Sequence, residues 1–247
     1  LINEAEFDLR LGVTVLSQNE LNSTFTQLNY GWTGDTSVVK AKVNYYGWAP
    51  KIELEAQWSD AQRLLYLPAN ENIEYPNPGS GNYFDITART YLPLLLSSGA
   101  STRRLTPMIE FSHTNARLYN FDTGSFNRGL RKIIFTLQYA ENQPVAYRDF
   151  LPRFGYLARV SYTSNPFESH YGSLWSAYGR VYLPGIMPHH SLMVRGAVQH
   201  QEKSMYNYTQ KELYPRGARW NIAPTDYQAF SVDYQFPLWC PDGGINS

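Results

Sequence analysis

The fold class read from the sequence is all-β: a transmembrane antiparallel up-and-down β-barrel, with residues 1–247 forming one domain. Three observations predict it. Apolar and polar residues alternate with period 2 along the whole chain, the pattern of strands lying between a nonpolar and a polar medium. The strands these runs mark read as long, at or above the roughly 9–11 residues with which a tilted strand crosses a bilayer, whereas soluble strands centre on about 5–6. Tyr and Trp gather toward the ends of the apolar faces, as in the aromatic girdles of membrane barrels.

The first run places Phe7, Leu9, Leu11, Val13 and Val15 on one face, against Asp8, Arg10, Gly12 and Thr14. Leu28, Tyr30 and Trp32 then oppose Gln27, Asn29 and Gly31, and Val39, Ala41, Val43 and Tyr45 oppose Lys40, Lys42 and Asn44. Ile52, Leu54, Ala56 and Trp58 oppose Glu53, Glu55 and Gln57. Ile86, Ala88, Thr90 and Leu92 oppose Asp85, Thr87 and Arg89. Weaker alternation follows at 108–113 and 131–139. Tyr156, Ala158, Val160 and Tyr162 oppose Arg159, Ser161 and Thr163; Val181 and Leu183 oppose Arg180 and Tyr182. Leu192, Val194, Gly196 and Val198 oppose Arg195, Ala197 and Gln199. The last run sets Phe230, Val232, Tyr234 and Phe236 against Ala229, Ser231, Asp233 and Gln235. That makes about eleven strands, and no segment reads as a helix.

The connections differ in length. Gly34-Asp35, Trp48-Ala49-Pro50, 97–102 and 184–189 are short, while 61–82, 115–129 and 203–226 are long, with 141–152 and 165–173 intermediate. From Trp48 onward the longer ones fall on one side, as where long loops crown one rim of a barrel and tight turns the other. Lys and Arg balance Asp and Glu at 21 each, so no charge excess points to nucleic acid. The single Cys240 excludes an internal disulfide. No apolar run approaches the roughly 20 residues of a membrane helix, which leaves strands as the spanning elements.

Alternation alone does not say which face meets which medium, because a soluble sandwich buries its apolar face inward. The polar faces decide. They carry both signs of charge deep in mid-strand: Lys40, Lys42, Glu53, Glu55, Asp85, Arg89, Arg159, Arg180 and Arg195. Such a set suits a lumen, where opposite charges pair across adjacent strands. The expected girdle residues are Trp32, Tyr45, Trp58, Tyr139, Tyr162 and Trp239.

The loop before the last run holds Pro215-Arg216-Gly217, and the strand after it reads AFSVDYQFPLW. A late Arg-Gly loop followed by such a strand resembles the bacterial surface-antigen barrels of the BamA/TamA superfamily, whose sixth extracellular loop carries an Arg-Gly motif between strands eleven and twelve. GVTVLSQNELNS at 12–23 and RDFLPRFGY at 148–156 are similar to such barrels from Bacteroidetes. The resemblance implies a barrel of about sixteen strands, of which this chain covers roughly the second to the twelfth, so that it reads as truncated at both ends. It also implies a lock between loop and lumen, in which Arg216 bonds a wall carboxylate and Gly217 allows the sharp turn beside it. Asp233 is the lumen-facing acid on the strand that follows. Pro215 and Ala218 depart from the family pattern, which has an aliphatic residue and an aromatic at those places.

Other constellations carry less. His189-His190 sits in a turn without a third ligand close in sequence, and turn polarity explains it better than a metal. Glu53 and Glu55 have the spacing of paired catalytic carboxylates, but Lys40 and Lys42 on the preceding strand suggest cross-strand pairing instead of glycosidase chemistry. No G-x-S-x-G elbow accompanies the Ser, His and Asp residues. Gly79-Ser80-Gly81 does not lie between a strand and a helix, so it does not read as a phosphate loop.

The expectation is therefore a non-enzymatic protein of the Gram-negative outer membrane, without cofactor or metal. Its partners would be the lipid bilayer and other outer-membrane or periplasmic proteins. The resemblance implies a role in insertion, assembly or export of outer-membrane components. The alternatives are an anchor for a periplasmic propeller or enzyme domain, a diffusion pore, or a soluble sugar-binding sandwich.

Overall fold

The structure, a computed structural model, describes residues 11–33, 36–61, 64–66, 81–96, 101–120, 123–143, 151–167, 171–187, 189–208 and 224–236. Among these residues thirteen strands form one sheet, and no helix occurs. They are β1 (Leu11–Gln18), β2 (Thr24–Thr33), β3 (Thr36–Tyr45), β4 (Lys51–Ser59), β5 (Leu64–Tyr66), β6 (Tyr83–Tyr91), β7 (Leu94–Leu95), β8 (Thr102–Asn120), β9 (Ser125–Asn142), β10 (Gly155–Ser164), β11 (Leu174–Pro184), β12 (Ser191–Gln201) and β13 (Asp226–Gln235).

Apart from β5 and β7, each strand pairs antiparallel with the next, from β1 at one edge to β13 at the other. Hairpin connections between successive strands favour this order, because neighbours in sequence find each other first and with the least chain. β7 prolongs β6: Leu94 opposite Leu105 keeps the register of Tyr91 opposite Met108. β5 lies in the connection expected to be a plain loop at 61–82 and pairs in parallel with β8, Leu64 opposite Arg117. Every alternating run of the sequence falls on a strand of this path, although the first begins before the described residues, and Leu92 and Phe236 lie just past the ends of β6 and β13. Among those residues β1 and β13 do not pair with each other, so the sheet is open.

The expected loop at 115–129 is a correction. β8 and β9 run 19 and 18 residues, and their hairpin passes through that segment. The register moves from Thr114 opposite Leu130 to Arg117 opposite Arg128, three residues of β8 against two of β9. This is a β-bulge, and it breaks the period-2 phase that identifies a strand in sequence. Gly129 stands beside it with φ of 85°, where a Cβ would meet the Thr114 carbonyl oxygen at 3.1 Å. The Asn115 side chain reaches from the bulge to β6. It accepts the Phe84 N–H at 2.7 Å and donates to the Asn82 carbonyl at 3.1 Å, which ties the start of β6 to β8.

Burial in this sheet is inverted relative to a water-soluble core. Val13 is 63% exposed, Val160 46% and Phe230 72%, and Leu28, Leu54, Ile109, Leu137, Val198 and Val232 on the same face are also exposed. The opposite face buries Asn44, Thr106, Ser112, Thr114, Thr163, Ser176 and Gln199. Of the buried apolar side chains, Tyr83, Ala116, Leu118, Leu130, Leu174 and Tyr206 lie toward the end of the sheet that carries the longer connections.

Candidate functional site

The polar face is built by strand parity and register. Lys40, Lys42, Glu53, Glu55, Asp85 and Arg89 share this face on β3, β4 and β6, and Arg159, Arg180 and Arg195 continue it on β10, β11 and β12. All nine expected lumen charges therefore lie on one side of the sheet.

Their pairing differs in detail from the simplest cross-strand ladder. Lys42 is directly opposite Glu55, yet the ion pair runs diagonally from Lys40 Nζ to Glu55 Oε1 at 2.6 Å. Glu53 belongs to a second group centred on Arg89. Arg89 Nη1 donates to Glu53 Oε2 at 3.1 Å, while its Nε and Nη2 both donate to Glu110 Oε2, at 2.8 and 2.6 Å. The hydroxyls of Tyr46 and Tyr91 donate to the other Glu53 oxygen, each at 3.2 Å. Burial, aided by the Glu53 charge, raises the Tyr46 phenol above its ordinary pKa, so the bond is donated by a neutral phenol. One guanidinium thus bridges two carboxylates of neighbouring strands.

Glu110 is the charged member of this group that sequence reasoning missed, and Tyr46 and Tyr91 were not singled out either. The strand of Glu110 alternates weakly because Met108 stands on the polar face and His113 on the apolar one. Parity within 108–113 carried the signal; the register of β8 against β6, which puts Glu110 opposite Arg89, is a property of the folded sheet.

On the other half of the face, Arg195 Nη2 donates to Asp233 Oδ2 at 2.6 Å and to Ser231 Oγ at 3.1 Å. Asp233, expected as the partner of Arg216, is thus engaged by an arginine of the wall. Arg216 and Gly217 lie outside the described residues. Arg159 stands over the Tyr178 ring at 5.4 Å and Arg180 over the Tyr182 ring at 5.0 Å.

A third group joins the sheet to the segment after β12. Gln201, 2% exposed, accepts the Tyr208 N–H and donates to the carbonyls of Tyr208 and Pro224. Tyr206 stacks on Tyr171, and Tyr171 also contacts the Tyr208 ring. The Tyr208 hydroxyl donates to Asn165 Oδ1, and burial pushes its phenol up to about 12.

Aromatics sit at both ends of the apolar face. Toward the longer connections stand Trp32, Trp58 and the close pair Tyr162–Trp175, centroids 4.4 Å apart. Toward the shorter turns stand Tyr45 with Trp48, and the stacked pair Tyr139–Tyr156. Trp239 lies outside the described residues. Beside Tyr139 and Tyr156, Arg103 pairs with Glu141 at 3.0 Å. His190 meets the Tyr234 hydroxyl at 2.6 Å, and among the described residues no group of His, Cys, Asp and Glu could hold a metal ion. No protein-family model matches the chain, and no curated protein matches it.

Proposed function

We propose that this chain is wall of a closed transmembrane barrel of the bacterial outer membrane, of the surface-antigen type, acting in the insertion, assembly or export of outer-membrane components. The observation that carries the membrane reading is the inverted sheet: exposed valines, leucines and phenylalanines on one face, charged and hydrogen-bonded side chains on the other. In water the apolar face would be an exposed patch far larger than the few hundred Å² a soluble monomer tolerates. Against hydrocarbon it becomes favourable, and the polar face then lines the lumen.

Two further features support the same reading. Nine of the main-path strands are 8–11 residues long, the length of a tilted spanning strand. The aromatic groups bracket an aliphatic middle, as side chains do at the two interfaces of a bilayer. The assembly role follows from the resemblance of the late Arg-Gly loop and its strand.

Quenching by brominated lipids tests the membrane placement. The chain reconstituted in phosphatidylcholine vesicles should show Trp32, Trp58 and Trp175 quenched by lipids brominated near the head group. Fluorescence insensitive to bromine at every depth would remove the apolar face from the bilayer. The assembly role is tested separately, by adding an unfolded eight-stranded barrel of the small outer-membrane type to the same vesicles. Faster folding than in protein-free vesicles supports it, and equal rates would leave a passive wall or anchor.

A further inference from the structure

The two halves of the polar face differ in charge. Among the described residues, polar-face positions of β3 to β8 interleave Lys40, Lys42, Lys51, Arg89 and Arg104 with Glu53, Glu55, Asp85 and Glu110. The same face of β9 to β13 carries Lys132, Arg159, Arg180 and Arg195, and Asp233 is the carboxylate there. The asymmetry is sharpest at Arg180. It lies directly opposite Arg195 in the register of β11 and β12, a like-charge juxtaposition that a sheet disfavours.

Arg195 is compensated by Asp233 at 2.6 Å. Arg180 is not: among the described residues its side chain contacts the Tyr182 ring and makes no ion pair or hydrogen bond, and its Nε is buried without a partner. Packing on a ring uses the face of the guanidinium and leaves its terminal Nη groups, not the buried Nε, to meet a ligand. Arg159, one strand away, also stands over a ring, that of Tyr178. The Arg180 guanidinium, seated on a tyrosine beside the already paired Arg195, is a pre-oriented donor for the planar fork of a carboxylate or the oxygens of a phosphate.

We propose that the polar face of β10–β12 binds an oxyanion, a phosphate or carboxylate group of a ligand, with Arg180 as its principal donor. The bound anion relieves the repulsion between Arg180 and Arg195 and supplies the acceptors that Arg180 lacks.

The test uses the full chain folded in an uncharged detergent, with inorganic pyrophosphate and citrate as probes and titration calorimetry as the readout. Binding of either anion is expected, the tighter of the two naming the group. Arg180→Gln should weaken it by about tenfold or more, and Arg180→Lys, which keeps the charge but loses the fork, by less. Lys42→Gln removes one positive charge from the other half of the face without breaking an ion pair and should leave binding within about twofold. In the unmutated chain, pyrophosphate should slow phenylglyoxal modification of Arg180 and not of Arg103, followed by mass spectrometry. The proposal is overturned if neither anion binds, if Arg180→Gln and Lys42→Gln weaken binding equally, or if Arg180 is modified at the same rate with and without the anion. The test needs only the folded chain, so its failure would leave the bilayer placement of the apolar face standing.

Discussion

Arg89 on β6 and Glu110 on β8 face each other directly in register, and two nitrogens of the guanidinium converge on one carboxylate oxygen, at 2.8 and 2.6 Å. The remaining Nη1 reaches back to Glu53 on β4, so a single side chain ties three neighbouring strands together. An ion-pair triad of this kind holds register: sliding β8 by one residue would carry Glu110 to the apolar face and strand Arg89.

A double-mutant cycle on Arg89 and Glu110 should therefore show real coupling. Arg89→Ala and Glu110→Ala are each expected to lower stability, with an interaction energy of about 1 kcal/mol or more, kept modest because the guanidinium is partly open to solvent. Urea midpoints of the folded protein in lipid vesicles measure it, and purely additive effects would reduce the triad to a solvated contact.

The apolar face gives a depth-dependent prediction. Val160 lies in mid-strand on that face, with Val43 and Val194 nearer strand ends; arginine at Val160 should cost about 2–4 kcal/mol, with smaller costs at the other two. Folding titrations into vesicles supply the number; three costs near zero would argue for a topology in which this face is not in hydrocarbon.

At the bulge, Gly129→Ala should lower stability by about 1–2 kcal/mol, since φ of 85° suits glycine and the new Cβ would crowd the Thr114 carbonyl oxygen. Glycine-to-alanine replacement at Gly179, where a Cβ meets nothing within 4 Å, should have a far smaller effect. Equal effects at the two positions would show that the bulge geometry is not what selects glycine.

Tyr208 makes the segment after β12 sensitive to alkali. Its buried phenol titrates at about 12, above the ordinary value of 10.0, so the folded form holds the proton more tightly than the unfolded one. The stability it lends is complete below pH 10 and declines as pH rises toward 12. Spectrophotometric titration at 295 nm should show a late-ionising tyrosine that disappears in Tyr208→Phe. Identical titration curves for the two proteins would place Tyr208 in contact with water.

Strand positions, their order and the two-faced character of the sheet are legible in the residues, because side-chain parity is a local property with period 2. The runs at 39–45 and 52–58 needed nothing beyond their own sequence to separate Val39, Ala41 and Val43 from Lys40 and Lys42, or Ile52 and Leu54 from Glu53 and Glu55. Where the phase breaks, local reading stops. The bulge at Asn115 turned half of a hairpin into an apparent loop, and β5 is too short to alternate recognisably. Pairing is decided by tertiary structure alone, since register depends on contacts between strands far apart in sequence. Lys40, not Lys42, meets Glu55; Arg89 gathers Glu53 and Glu110; Arg195 takes Asp233; and Arg180 is set against Arg195. The sequence determined which residues share a face, and the register of the folded sheet decided which of those charges find a partner.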